Sequence, residues 1–470
     1  MNYSQHIRSS SILKLIGDAA DKVETYVVGG YVRDLVMGKE SNDIDVVCVG
    51  SGIELANKVI GLLPGKNQLN VFKNFGTAQI KYKNQVIEFV GARKESYRSD
   101  SRKPVVEDGS LEDDQKRRDF TINALAICLN SERIGELIDP FDGIRDIQRK
   151  IIKTPLDPSI TFSDDPLRIM RAFRFSAQLN FDIEAATFEA IKLNAERLQI
   201  VSQERITDEL NKLILSPKPE YGFNLMFHAG ILKSVFPEMA NLHGVTTIDG
   251  KGHKDNFFHT IKVLENVAKK SDNLWLRWAA ILHDIAKPKT QRFDEKNGWT
   301  FHGHEDLGAR MVPNIFRKLK LPLNEKMKYV QKLVRLHLRP IALVSDEITD
   351  SALRRLLFEA GEAMDELMIL CRADITSKNN IKVARYLGNF DKVEQKLKEI
   401  EERDHMRNFQ PPVSGELIMK YFNISPSKLV GEIKEEIKEA IFDGKIGNKF
   451  DQAFELMKEI GNLRGLKKED

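Results

Sequence analysis

At 470 residues, with 41% hydrophobic and 30% charged side chains, the chain has a folded protein's composition and is too long for one core, so about three or four domains are expected. A formal net charge of +3 excludes a uniformly basic nucleic-acid binder while leaving room for local basic faces. The three cysteines, Cys48, Cys128 and Cys371, lie far apart without CxxC spacing, which argues against a disulfide framework or a thiolate zinc site and fits a reducing cytoplasm.

The N-terminal segment lacks the apolar run of a signal peptide, and nowhere do about 18 apolar residues follow one another, so no membrane role is expected. After an amphipathic N-terminal helix, TYVV (25–28) reads as a strand, the glycine pair 29–30 as a turn, and YVRDLVMG as a helix closed by glycine. DIDVVCV (43–49) reads as a strand, followed by a helix near 53–63 and two further strand patterns, TAQIKY (77–82) and VIEFV (86–90). Residues 94–118 are charged and poor in apolar residues, and read as a mobile loop. From about 160 onward the pattern is helical almost throughout, with prolines as punctuation. Boundaries are expected near 155, 240 and 400, which divides the chain into 1–155, 156–240, 241–400 and 401–470.

Asp43 and Asp45 stand two apart in a strand, so their side chains leave one face while Ile44 and Val46 turn to the core. Glu88 follows the same logic between Ile87 and Phe89. Three carboxylates converging from strands would suit two Mg²⁺ ions, which take oxygen ligands and serve phosphoryl transfer. A lone DxD is ordinary on a half-exposed strand; the context raises its weight. In GGYVRD (29–34), which ends nine residues upstream of Asp43, the glycine pair opens a helix where backbone N–H groups can approach phosphate, with Arg33 as a charged donor beside them, so Gly29, Gly30, Arg33 and Asp34 are candidate nucleotide-binding residues.

Read together, GGYVRD, DIDV, RRDFTINAL (117–125), FDGIRDI (141–147), DDPLRIMRAFRF (164–175) and QERITDEL (203–210) resemble, in order and spacing, the class II tRNA nucleotidyltransferase and bacterial poly(A) polymerase family, over roughly residues 25–215. The resemblance implies an α+β fold: a polymerase-beta-type nucleotidyltransferase head with a mixed sheet (1–155), then an all-helical neck (156–240), an HD domain (241–400) and a helical tail (401–470). It implies that Asp43 and Asp45 are the catalytic metal-binding pair with Glu88 as third carboxylate. It further implies that Gly30, Arg33, Arg118 and Asp119 contact triphosphate and ribose, supported by Asn123. Asp164 departs from the glutamate often found there, leaving a shorter carboxylate. Glu204 and Arg205 are expected to brace helices.

Within DDPLRIMRAFRF, Asp165, Arg168, Arg171 and Arg174 recur every three positions and form a slowly rotating stripe. Cytosine and adenine both present an amine donor beside a ring-nitrogen acceptor, and uracil and guanine reverse that pattern. Asp165 accepting and Arg168 donating would therefore favour C and A, since a wrong base leaves buried polar groups unpaired at about 1 to 3 kcal/mol each. The resemblance assigns this role to the same pair, with Arg171 and Arg174 near the nucleotide.

Seven of ten histidines fall between 243 and 337. His243 and His253 read as ordinary surface or core residues. His259, the HDIAKP pair His283 and Asp284, and Asp374 resemble the ligand set of the HD phosphohydrolase superfamily, which implies one divalent metal of unspecified identity, and His304 and His337 would complete a second site. An inactive HD fold kept as an RNA platform is the bland alternative. Lysines of the tail would either contact tRNA phosphates or form an ordinary solvated face.

The expected activity is transfer of CMP and AMP from CTP and ATP to the tRNA 3′ end, without a template, with Mg²⁺. Poly(A) polymerase, a CC- or A-adding specialist, and a phosphohydrolase with an RNA-binding head are the alternatives. No DNA is expected as partner, and the oligomeric state is not readable from sequence.

Overall fold

The computed structural model describes residues 2–98, 101–248, 251–345, 349–377, 379–407 and 409–466. It divides into two compact units, Met1–Pro237 and Glu238–Asp470.

The first unit is built on strands β1 (Thr25–Val28), β2 (Asp43–Cys48), β3 (Gln68–Phe72), β4 (Thr77–Tyr82), β5 (Gln85–Gly91), β6 (Arg93–Arg98), β7 (Ser101–Asp108), β8 (Ala126–Cys128) and β9 (Leu137–Ile138). Seven of them form one mixed sheet in the order β3-β4-β5-β2-β1-β8-β9. All neighbours are antiparallel except β2 and β5, which run parallel. The strands follow period-two chemistry: Ile44 and Val46 on β2, and Ile87 and Phe89 on β5, are buried. The residues between them alternate to the other face, which carries the carboxylates.

The mobile loop expected over 94–118 is corrected by the structure. β6 and β7 pair as an antiparallel hairpin, and Leu111–Lys116 is a helix. That helix starts on a capping box, in which the Ser110 hydroxyl accepts from Asp113 N–H at 3.2 Å and the Asp113 carboxylate accepts from Ser110 N–H at 3.0 Å. Residues 99 and 100, also within the expected loop, lie outside the described residues.

The helical pattern expected after 160 is present. Leu167–Leu179 buries Ile169, Met170, Ala172, Phe173 and Ala177, and packs against Gln203–Ile214 and Pro219–His228. The close crossing with the last of these depends on Gly222, where a Cβ would sit 2.9 Å from Ala177 Cβ.

The second unit is mainly helical, with short strand pairs at Thr247–Ile248 with Lys251–Gly252 and Arg292–Asp294 with Gly298–Thr300. Asn256–Ala268, Leu274–Leu282, His304–Lys318, Glu325–Leu336 and Met364–Asp374 pack around Trp278, Phe257 and Phe316, which are fully buried. Each such side chain contributes roughly 1.5–3 kcal/mol by leaving water. The 25-residue helix Asn380–Asp404 leads to Gly415–Phe422, Lys428–Phe442 and Phe450–Leu463. Among the described residues, no helix is long and apolar enough to cross a membrane.

Candidate active site and metal centre

In the first unit a cavity of about 750 Å³ is walled by Asp43, Asp45 and Glu88 on one side and by arginines on the other. Strand register brings the carboxylates together: Asp45 pairs with Glu88 across β2 and β5, and with Val28 across β2 and β1. Gly29 directly follows Val28 with φ +74°, a conformation side chains rarely adopt. A Cβ there would lie 2.9 Å from Arg118 Nη1 and 3.3 Å from Asp45 Oδ2. Glycine is what lets Arg118 and Asp45 face each other across the turn.

Burial raises the Asp45 carboxyl above its ordinary range; Arg118 opposes this and the charge of Asp43 adds to it. Burial raises Glu88 too, with Asp45 adding. These carboxylates thus pay, in folding, for a charge that a cation would neutralise. Asp43, Asp45 and Glu88 do not close into a three-ligand group with atoms within 4.8 Å of one another; both groups of that kind among the described residues lie in the second unit. One or two carboxylates completed by phosphate oxygens is nevertheless the usual way Mg²⁺ is held, and the donor set fits it.

The opposite wall is an arginine network. Arg33 donates to Asn123 Oδ1 at 2.8 Å and to Asp34 at 2.9 Å. Asn123 in turn donates to Asp119 Oδ1 at 3.0 Å, and Arg171 donates to Asp119 Oδ2 at 2.7 Å. Burial works against the charge of Asp119, yet Arg171 and the Asn123 amide hold its carboxyl down at about 2. Asp114, fully buried, accepts on Oδ2 from Arg118 Nε and Nη2 at 3.0 and 2.9 Å and on Oδ1 from Arg117 Nε at 3.0 Å. Arg174 donates to the buried Glu209 at 2.5 Å, which also receives Lys212 at 3.2 Å.

Gly29, Gly30, Arg33, Arg118, Asp119, Asn123, Asp165, Arg168, Arg171 and Arg174 therefore share one cavity with Asp43, Asp45 and Glu88. Asp34 is not part of its wall; its carboxylate steadies Arg33. Asp165 accepts from Leu167 N–H at 3.2 Å, at the start of its helix. Arg168 is aimed by two carbonyls, Thr161 O at 3.3 Å and Arg117 O. The expected bracing by Glu204 and Arg205 is corrected: both are exposed, Arg205 lines the cavity, and Glu209 makes the interhelical tie. The reason is phase, since Glu209 falls on the buried face of Gln203–Ile214 and Glu204 does not. Sequence reasoning also missed Asp114, whose i,i+3 and i,i+4 spacing to Arg117 and Arg118 was the available signal, and Phe175, which it did not single out.

The second unit gathers His259, His283, Asp284, His304 and His337, all buried. Two ligand groups share Asp284: His259 with His283, and His304 with His337. Asp284 lies 3.5 Å from His259 Nε2, 3.2 Å from His283 Nε2, 3.2 Å from His304 Nε2 and 3.9 Å from His337 Nε2. Asp374 approaches His259 Nε2 at 2.8 Å and His283 Nε2 at 3.7 Å.

Backbone carbonyls of Ala280, Phe301 and Val334 hold the Nδ1 atoms of His283, His304 and His337 at 2.8, 2.8 and 2.7 Å, which turns the three Nε2 atoms inward. His283 Nε2 is buried without a hydrogen-bond partner of good geometry. Although burial disfavours its charge, Asp284 and Asp374 hold the His283 imidazolium up at about 10. Carboxylates and inward-turned imidazole nitrogens thus face one pocket, and this donor set, with the imidazoles neutral, fits a divalent metal. Lys254 Nζ sits 2.9 Å from His259 Nδ1 and Lys287 Nζ 2.7 Å from Asp284 Oδ2, two cations that the sequence reading passed over.

His243 and His253 lie apart from this centre, His243 against Asp255 at 2.8 Å and His253 against Gln291 at 3.0 Å. In the tail, Lys428, Lys438, Lys445 and Lys458 each pair with a nearby carboxylate, the arrangement of a solvated, self-neutralised face.

Fold and cavity together define a nucleotidyltransferase type of head, followed in the chain by a histidine-aspartate helical unit. Residues 25–153 match the poly A polymerase head domain, 180–242 the probable RNA and SrmB-binding site of polymerase A, and 256–379 the HD domain. An A-adding tRNA nucleotidyltransferase of Deinococcus radiodurans is 33% identical over 350 residues, which cover 72% of this chain and 77% of the relative. A multifunctional CCA protein of Shewanella frigidimarina is 30% identical over 381 residues, covering 77% and 86%. The CCA-adding enzyme of Bacillus stearothermophilus, solved in complex with CTP, shares the fold with a TM-score of 0.68 at 23% identity over 97% of both chains. The chain belongs to the tRNA nucleotidyltransferase family, as its six ordered motifs implied, and it is a nucleotidyltransferase.

Proposed function

We propose that this chain adds CMP and AMP from CTP and ATP to the 3′ end of tRNA without a nucleic-acid template. The observation that carries the reading is the single cavity in which strand carboxylates, an arginine wall and the Asp165 and Arg168 pair face one another. Two Mg²⁺ ions held by Asp43 and Asp45, with Glu88 beside them, would supply activation of the 3′-hydroxyl and neutralisation of the triphosphate.

The chain's own residues do the rest. Arg33, Arg118 and Arg171, each anchored to a carboxylate, present fixed donors to the triphosphate, so little reorganisation is needed as charge moves to the leaving pyrophosphate. Asp165 accepts from the exocyclic amine of C or A, and Arg168, aimed by two carbonyls, donates to the ring nitrogen.

Within this reading the four-part division at 155, 240 and 400 separates head, neck, HD domain and tail, and the place of action is the cytoplasm. The HD centre holds a divalent metal through His259, His283, Asp284 and Asp374, and carries a phosphohydrolase activity. A second reading, addition of the terminal A alone, is favoured by the name of the Deinococcus radiodurans relative.

The test is extension of two tRNA transcripts, one ending at its discriminator base and one ending in CC, with CTP and ATP separately and together. Growth by two with CTP alone and by three with both establishes CCA addition. Extension only of transcripts already ending in CC establishes the A-adding reading, and a ladder with ATP alone a poly(A) polymerase. No extension overturns all three.

A further inference from the structure

Phe175 lies in the wall of the nucleotide cavity, 5% exposed. Three guanidinium carbons surround its ring: Arg174 at 4.0 Å, Arg33 at 5.3 Å and Arg171 at 5.4 Å from the centroid. All fall within the distance at which a ring quadrupole attracts a cation. The ring is itself fixed edge-on by Phe120 at 5.9 Å and 85°.

The three cations come from two separate helices, Gly30–Val36 and Leu167–Leu179. Each is tied on another side by an acceptor: Asp34 and Asn123 for Arg33, Asp119 for Arg171, Glu209 for Arg174. Three like charges on one wall repel, and the carboxylates alone would pull each guanidinium toward its own anchor. A neutral aromatic face at the centre draws all three inward without accepting the hydrogen bonds that a ligand needs.

We infer that Phe175 is a positioning residue that holds Arg33, Arg171 and Arg174 as one anion-binding wall for the triphosphate of the incoming nucleotide. The inference rests on the reading of this cavity as a nucleoside triphosphate site. It concerns the triphosphate and not the base, so CTP and ATP are affected alike. Loss of the ring leaves each arginine held from its anchor side alone, by Asp34 and Asn123, Asp119 or Glu209, and free to swing about that anchor.

The test uses the full chain with Mg²⁺ and two sets of variants. In Phe175→Leu, the Kd of CTP and of ATP by calorimetry, and the KM of each in tRNA extension, rise about tenfold. kcat falls by less than KM rises, because Arg118, held by Asp114, still faces the charge that moves to the leaving pyrophosphate. Inorganic triphosphate, which has no base, loses the same factor as a competitor. Stepwise fluorination of the Phe175 ring keeps its shape and weakens its quadrupole, so Kd rises with each fluorine; this series decides the matter even where Phe175→Leu fails to fold. Unchanged Kd in a folded Phe175→Leu, or a flat fluorinated series, overturns the inference while leaving the site reading intact. A wild-type chain that binds neither nucleotide brings down both.

Discussion

The two centres solve opposite problems with similar residue types. The head places Asp43 and Asp45 at the edge of an open cavity of about 750 Å³, where much of the coordination has to come from what binds there. The histidine centre closes around Asp284, which is 1% exposed and lies within 4 Å of four imidazoles, so the protein supplies nearly every donor itself. A site built for a large anionic substrate spends its side chains on arginines and space. A site built for an ion spends them on ligands and backbone carbonyls that aim them.

That contrast breaks first at the carboxylates. Asp43→Ala with Asp45→Ala is expected to lower tRNA extension by at least about 10³-fold, several kcal/mol of lost charge stabilisation, while metal content at the histidine centre is unchanged. Primer extension and elemental analysis on the same protein check this, and retained extension would remove the head from the chemistry. The converse variant, Asp284→Ala, removes the ligand shared by both histidine groups. It is expected to weaken metal binding by more than the roughly 10 to 100-fold that loss of a supporting partner costs, with extension unaffected. Chelator competition gives the number.

Asp119 sharpens the contrast on the stability side. Its carboxyl is depressed from an ordinary 3.8 to about 2, so it contributes on the order of 2 kcal/mol to folding, present above about pH 4 and lost as pH falls through about 2. Asp119→Asn should therefore be less stable than wild type at pH 7 by that order, with the gap narrowing in acid. Denaturant titrations across pH decide it, and a gap independent of pH would mean that Arg171 does not depend on the charge. The smallest effect is on choice of base. Asp165→Asn is expected to reduce discrimination of CTP and ATP against UTP and GTP about tenfold, read as ratios of kcat/KM.

Much of the head was legible because its chemistry sits on strands with a clear period of two. Ile44 and Val46 bury in the core, Asp43 is exposed and Asp45 half-buried on the other face, and the motif order did the rest. The 94–118 segment was misread because β6 and β7 carry too few apolar residues to show which face packs, and hairpin pairing between polar strands leaves no pattern in hydrophobicity. The capping box at Ser110 and Asp113 was visible in that segment and outweighed by its charge. At the histidine centre the residue types were readable, but their convergence was not: Asp374 reaches His259 through the packing of Met364–Asp374 on Asn256–Ala268, a contact between helices more than a hundred residues apart. Phe175 was hidden for a different reason, because an aromatic at helical spacing looks the same whether it faces a core or three cations.

The parallel pairing of β2 with β5 has a consequence for how the enzyme comes into being. Parallel neighbours cannot be joined by a tight turn, so Asp45 and Glu88 meet only after the whole crossover of residues 49–84 has closed. Such non-local pairing slows folding, and it means that no fragment ending before β5 carries the complete set of carboxylates. A nascent chain that has not reached β5 therefore has Asp43 and Asp45 without the strand that brings Glu88 beside them.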